Sequence, residues 1–334
     1  PLKGLAWADF DIDGDPDLAV VDGGGKLHIL ANQRSGIFEP WEGAPEAQNL
    51  VSLAVAETSN DANLDLLTLS SDGTVSTYAF ADRKWAAPRT LGKSAVAKPA
   101  KLLVDDLDNN GGLDLLVVGA DKSEALLQGS DSAYAVLAQV IPLAVDSVVD
   151  LNADGVLDFV GRAGGKAVKA LAKPTKKYNY QTFTLVAKFP GDGEPANKIN
   201  AYGIGGEIEA RAGLWYRKLP ITGPQIHIGL GENPKIDAAR VIWPNGNPQG
   251  EFDFKDKNMV ADQRLGGSCP FLFAWDGKAF KFVTDCIWRS PLGLKINAQA
   301  TAGVSQPEDW VKIRGDQLVA KDGFYDLRIT AELR

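Results

Sequence analysis

Between Asp9 and Asp17 the chain reads Asp-Phe-Asp-Ile-Asp-Gly-Asp-Pro-Asp, with carboxylates at loop positions 1, 3, 5, 7 and 9 and a glycine at 6. Oxygen side chains at 1, 3 and 5 with a further carboxylate at 9 are the ligand half of a calcium loop. A hard cation takes six to eight oxygens at about 2.3 to 2.6 Å, so the chain must curl and turn every second side chain inward. Asp9, Asp11, Asp13 and Asp17 are the side-chain candidates, and Asp15 is the position whose backbone carbonyl completes the shell. Gly14 permits the tight turn, because a residue without Cβ takes positive φ at no steric cost. Without a cation, this many carboxylates in one short loop repel each other.

The pattern recurs three times. The third copy reads Asp106, Asp108, Asn110, Gly111, Gly112 and Asp114, and the fourth Asp150, Asn152, Asp154, Gly155, Val156 and Asp158. Both keep oxygen ligands and the turn glycine, with Gly112 and Val156 at the carbonyl position. The second copy reads Glu57, Ser59, Asp61, Ala62, Asn63 and Asp65. It has a longer acid, a hydroxyl and no glycine, and is expected to bind weakly or not at all. One such cluster alone would read as an ordinary surface turn; four in register do not.

The loops begin at residues 9, 57, 106 and 150, and steps of 44 to 49 residues belong to propeller blades or helical arrays. Short apolar runs follow the first three loops, at Leu18–Val21, Leu64–Leu69 and Leu113–Val118, with Gly/Asp turns between them. Sustained 3.6-residue periodicity is missing, so each step reads as one small antiparallel sheet. The expected fold class is all-β: four β-propeller blades, as part of a larger ring, followed by β-sandwich-like domains.

Asp-x-Asp-x-Asp-Gly-x-x-Asp ahead of an apolar strand at this period resembles the FG-GAP/VCBS repeats of integrin-type β-propellers. The resemblance covers about residues 1–190. It implies that each loop joins the first two strands of a blade and holds Ca2+. Four blades are few for a ring, and the chain starts at Pro1 with Met259 as its sole methionine. A processed or partial chain with further blades upstream is therefore expected. Farther on, Ile204–Ala210, Ile226–Gly231 and Val241–Gly246 resemble in order the ASPIC/UnbV domain, which follows propeller repeats in proteins similar to cartilage acidic protein. That implies a β-domain over 196–254 with no catalytic residues to carry over. Residues 255–334 form a third segment, in which Cys269–Asp285 reads as a hairpin about Asp276-Gly277.

A net charge of −8 disfavours nucleic acid, which wants a basic face. No run of about 18 apolar residues is present, so no membrane-spanning helix is expected. The lysines at 166, 169, 173, 176 and 177 read as a solvated outer strand. Cys269 and Cys286 flank the proposed hairpin, which favours a disulfide over two buried thiols. Trp7, Trp243 and Trp275 lie on strand-like runs and are expected in the core. The glycines at 203–206 and 229–231 open no βαβ unit and make poor dinucleotide loops. His28 and His227 read as strand residues, and Arg314-Gly315-Asp316 as a turn with little weight as an adhesion signal. With the clustered acids committed to loops, no catalytic set assembles. The expected function is a secreted or cell-surface, bacterial, calcium-binding module for a protein or glycan ligand or for self-assembly. A carbohydrate-active enzyme, such as a polysaccharide lyase, or a structural subunit of a surface assembly is the alternative.

Overall fold

The computed structural model describes residues 1–13, 16–33, 36–59, 61–174, 176–187, 200–244, 246, 248–263, 271–285 and 313–330. Among these residues every regular element is a strand, and no helix is long and apolar enough to cross a membrane. The first half forms four successive antiparallel sheets. Sheet 1 holds β1 (Gly4–Ala8), β2 (Asp17–Val21), β3 (Leu27–Asn32) and β4 (Phe38–Pro40) in chain order. Sheet 2 holds β5 (Leu50–Ala56), β6 (Asp65–Ser70), β7 (Thr74–Tyr78) and, after a small hairpin of β8 (Phe80–Ala81) and β9 (Lys84–Trp85), β10 (Arg89–Lys93). Sheet 3 holds β11 (Lys101–Asp105), β12 (Asp114–Val118), β13 (Ser123–Gln128) and β14 (Tyr134–Val136), and sheet 4 β15 (Ala144–Val149), β16 (Asp158–Ala163) and β17 (Lys166–Ala170).

These sheets pack face to face as propeller blades do. Ala19, Val21 and Ile29 of sheet 1 share a core with Leu50, Leu53 and Leu66 of sheet 2. Leu67 and Leu69, on the opposite face of β6, pack against Leu115 and Val117 of sheet 3. Leu116 and Val118 then meet Ala144 and Val145 of sheet 4. The sequence pattern follows from this stacking. Strands β6 and β12 are covered on both faces and run apolar without alternation, whereas β2 alternates because its sheet shares a core on one face.

The second half is a sandwich. One sheet joins β18 (Asn179–Val186) to β21 (Gln225–Gly231) and, in parallel, to β24 (Asn258–Asp262). The facing sheet runs β20 (Trp215–Pro220), β19 (Glu207–Ala212), β22 (Ala238–Ile242) and β23 (Pro248–Glu251). Phe183, Leu185, Ile226 and Ile228 from the first sheet and Ile208, Val241 and Trp243 on the second side fill the space between them. A last sheet places β25 (Phe271–Trp275) between β26 (Phe280–Asp285) and β27 (Leu327–Thr330).

Several expectations are corrected. Residues 179–186 fell within the first unit in the sequence reading, yet by pairing they belong to the sandwich, because β18 has an apolar partner on each side there. Ile204–Gly206 is a turn with Gly205 at φ 94°, and the strand starts at Glu207. The final strand begins at Leu327, after a Lys321–Phe324 bridge. The hairpin over 271–285 forms, but through a four-residue turn in which Asp276 Oδ1 accepts from the N–H of Lys278 and Ala279 (both 2.8 Å). Trp243 is buried, whereas Trp7 is 42% exposed, since β1 turns its odd side chains away from the shared core. Strand β17 is the edge of sheet 4 with its lysines outward, as expected. Cys269 and Cys286 lie outside the described residues.

The sandwich sits on the ends of sheets 2, 3 and 4, and glycines mark the closest approaches. A Cβ on Gly155 would lie 1.9 Å from the Tyr180 ring, and the residue has φ 85°. Gly164 also has positive φ, 55°, with open space around it. Gly164→Ala should therefore cost only the left-handed backbone strain, about 1–2 kcal/mol, while Gly155→Ala must also displace the ring. Thermal melts should show a clearly larger loss of Tm for Gly155→Ala; equal losses would mean that β18 does not rest on loop 4.

Candidate metal centre

Each loop spans eight residues between a paired couple of strand ends: Ala8 with Asp17, Ala56 with Asp65, Asp105 with Asp114 and Val149 with Asp158. The closing aspartate is buried in all four copies. Its Oδ2 accepts the N–H of loop position 2, from Phe10 (3.2 Å), Thr58 (2.8 Å), Leu107 (2.9 Å) and Leu151 (3.1 Å). Its Oδ1 accepts a second N–H from the end of the third strand in three sheets, at Asn32 (2.9 Å), Gln128 (2.7 Å) and Ala172 (2.8 Å). The residue expected as a ligand is thus also the pin that holds loop and blade together.

Inside the loops the side chains turn back onto the chain. In loops 3 and 4 the N–H of Gly111 and of Gly155 donates to the position-1 carboxylate, Asp106 or Asp150, at 2.8 Å. The N–H of Asn63, Gly112 and Val156 at position 7 donates to the side-chain oxygen of Asp61 (2.9 Å), Asn110 (2.6 Å) and Asp154 (2.9 Å). Left-handed backbone falls at position 4, at Ile12, Asn109 and Ala153, as well as at the glycines. The sequence motif carries no sign of that, because the residue types at position 4 differ.

The loops differ in how their charges meet. At loop 1, carboxylate oxygens of Asp9, Asp11 and Asp17 lie within 4.8 Å of one another, and at loop 3 those of Asp106, Asp108 and Asp114 do so. Asp13 lies in the same loop with its N–H on Asp9 (3.1 Å) and Asp11 (3.3 Å), while Gly14 and Asp15 lie outside the described residues. Loop 4 brings no such carboxylate triad together, and Asn152 Nδ2 instead donates to Asp154 (2.9 Å). In loop 2, Thr58 Oγ1 (2.6 Å) and Ser59 Oγ (3.2 Å) donate to Asp65.

Burial sets the electrostatics. Desolvation pushes the carboxyls of Asp17 and Asp114 up to about 7 against their backbone hydrogen bonds, and neighbouring aspartates add to the rise. Asp106 is driven well above the carboxylate range by burial and then by Asp114. Its Oδ1 is buried with no hydrogen-bond partner. A divalent cation fits this donor set, since it supplies the missing charge and takes a lone pair that nothing else uses.

The sandwich closes over the same loops. Gly231 N–H donates to Asn109 O (2.9 Å), and His227 Nε2 is bonded to Asn109 Oδ1 (2.6 Å). Asn109 Nδ2 reaches Gly155 O of loop 4 (2.6 Å). His227 stacks on Tyr180 at 13°, and burial lowers its pKa to about 4, so it stands as a neutral ring. Gly229 faces Asp106, where any Cβ would lie 2.0 Å from Oδ2. The glycine cluster at 229–231 therefore exists to let β21 approach loop 3. Trp215 Nε1 donates to Gly111 O (3.4 Å), and Arg217 Nη2 donates to the same carbonyl. Arg217 Nη1 also reaches Glu57 O (3.3 Å) and stands 3.5 Å from Glu57 Oε2, with both side chains buried. A guanidinium thus faces the first position of the loop that departs furthest from the motif. Nothing in the motif flagged Arg217; its place on a strand of mixed polarity is the only trace.

No protein-family model matches the sequence, and no curated protein sequence matches it. Among solved structures, the Photorhabdus luminescens Tc holotoxin pore aligns at 16% identity and a TM-score of 0.33, over 70% of this chain and 9% of that chain. BBS1N from a complex with ARL6DN aligns at 14% and 0.33, over 75% of this chain and 79% of that one. A lectin of Agrocybe aegerita that recognises non-reducing terminal N-acetylglucosamine aligns at 14% and 0.37, over 82% and 72%. Scores this low carry no argument, and the blade assignment rests on strand pairing and packing.

Two outcomes test the charge balance. The folded-state pKa of Asp17 and Asp114, about 7, lies above the ordinary 3.8. Their contribution to the stability of the calcium-stripped protein is full below 3.8 and lost as pH rises through about 7. Stripped protein should melt higher at pH 6 than at pH 8, and saturating calcium should reverse that order; an unchanged order would refute the assignment. Arg217→Met should cost about 3–5 kcal/mol by leaving Glu57 buried without its cation, and adding Glu57→Gln should recover part of it. A double variant whose loss equals the sum of the single losses would show the two residues to be uncoupled.

Proposed function

We propose that the chain is a calcium-stabilised propeller protein of the cell surface or the secreted space that acts as a binding or adhesion module for a protein or glycan. The observation that carries the calcium reading is the buried Asp106 Oδ1 without a hydrogen-bond partner, beside Asp108 and Asp114. Loops 1 and 3 are then the stronger sites, through Asp9, Asp11, Asp13 and Asp17 and through Asp106, Asp108, Asn110 and Asp114. Loop 4 is weaker, and loop 2, with its hydroxyl donors and Arg217, holds no ion. The FG-GAP/VCBS and ASPIC/UnbV resemblance supports this assignment, as do dissociation constants of order 10⁻⁴ to 10⁻³ M for calcium sites outside cells.

Binding rather than catalysis is favoured by where the reactive groups are committed. The clustered carboxylates pin and ligate, His227 is locked between Tyr180 and Asn109, and His28 Nε2 is held by Asp22 (2.9 Å). Arg314 and Asp316 form a two-bond pair with each other (2.9 and 3.0 Å), so the tripeptide does not support the adhesion reading.

At a hundredfold excess over Kd each site adds about 2.7 kcal/mol, so chelation should lower Tm sharply, and Asp108→Ala should remove one bound ion in calorimetric titration. Capture of glycans and matrix proteins should require calcium. No bound calcium by elemental analysis with an unmoved melt would refute the metal reading. Sustained polysaccharide cleavage, lost on changing one residue outside the loops, would make the protein an enzyme.

A further inference from the structure

Strands β1, β5 and β11 and the β20–β21 side of the sandwich enclose a cavity of about 800 Å³. That is the size of a small-molecule pocket. Its walls are largely apolar, with Leu5 and Trp7 from β1, Leu103 from β11, Leu219 from β20 and Ile226 from β21. Among the described residues, no lysine or arginine lines it. Of its acidic residues, Glu207 is held by Lys218 Nζ at 2.7 Å and Asp9 belongs to loop 1. Asp105 is different.

The repeats themselves show why. The residue just before each loop is Ala8, Ala56, Asp105 and Val149 in turn, so the third sheet alone places a charge at that site. Asp105 makes one side-chain hydrogen bond, accepting the N–H of Asp106 at Oδ1 (3.0 Å). Its strand partner, Asp114, is already committed to the Leu107 and Gln128 amides. A carboxylate placed among apolar walls without a cation or a full set of donors costs stability. The fold does not need it, because three sister sheets close the same pair with small or apolar residues.

We propose that this cavity is a binding site for a small organic amine, whose ammonium group is held by Asp105 and whose apolar body lies against Leu5, Trp7, Leu219 and Ile226. The wall composition selects the class: among the described residues Asp105 has no cationic partner, no lysine or arginine stands beside it, and the rest of the wall, Trp7 included, is largely apolar. Asp9 and Asp105 set the cavity beside loops 1 and 3, so binding is measured in saturating calcium.

The probe is 2-phenylethylamine, followed by ligand-observed NMR and calorimetry, with 2-phenylethanol and phenylacetate as neutral and anionic counterparts. The amine should bind roughly tenfold or more tighter than the alcohol, and phenylacetate should not bind. Asp105→Asn should abolish that preference. Asp105→Ala, the residue of the first two sheets, should abolish amine binding while raising Tm and leaving the bound calcium count unchanged. An amine that binds no better than the alcohol, or retains its preference in Asp105→Asn, overturns the proposal. So does an Asp105→Ala protein that melts lower with calcium intact, since Asp105 would then be structural.

Discussion

The architecture of the first half depends on one hydrogen-bonded carboxylate used four times. The aspartate that ends each loop accepts the position-2 N–H and, in three sheets, an N–H from the end of the third strand. The loop and two strands of a blade are thereby tied at one buried point, and the pairing next to the loop is the same in all four repeats, with a bulge farther along in sheets 2 and 4. In sheets 1 and 3 desolvation outweighs the two backbone donors and pushes the carboxyls of Asp17 and Asp114 up to about 7. The pin therefore creates the need that a cation in the loop would meet. Structure and ligand chemistry arise from the same residue.

The second consequence concerns the sandwich. Its strands β20 and β21 do not touch the blades through an apolar face alone; they donate to the loops' own carbonyls, at Gly111, Asn109 and Glu57. Glycines 229 and 231 leave no side chain in the way, and Tyr180 fills the place that a side chain on Gly155 would take. Because the docking groups hold loop backbone, anything that orders loops 3 and 4 also orders the surface on which the sandwich rests. Loop geometry and domain arrangement form one coupled unit.

Much of this was legible in the sequence, and the limits have physical causes. Alternating acids at a fixed period located all four loops, and the apolar runs after the first three located β2, β6 and β12, since local spacing alone dictates both. The uninterrupted run Leu115–Val118 belongs to a strand covered on both faces, which only the packing reveals. What local spacing cannot encode is which distant chain reaches a loop. Arg217 lies 160 residues from Glu57, and the glycines of β21 looked like a poor nucleotide motif until their neighbour was loop 3. Trp7 was misplaced for the related reason that a strand's two faces are told apart only by what packs on each. Cys269 and Cys286 lie outside the described residues, so their pairing stays an expectation of the sequence.

The four loops can be ordered by how each balances its buried charge. Loops 1 and 3 each gather three carboxylates, and Arg217, beside loop 3, is directed to Gly111 O and Glu57. Loop 4 relaxes the repulsion by spreading its acids and placing the Asn152 amide between them. Loop 2 removes it from within: hydroxyls of Thr58 and Ser59 saturate Asp65, Arg89 Nη2 holds Thr58 O (2.9 Å), and Arg217 faces Glu57. An internal guanidinium and an external cation are alternative solutions to the same electrostatic problem. Loop 2 lacks the turn glycine, yet Ala62 takes the same left-handed backbone at φ 69°, so the turn itself is kept while hydroxyls and Arg217, and no gathered triad, face the acids of that loop.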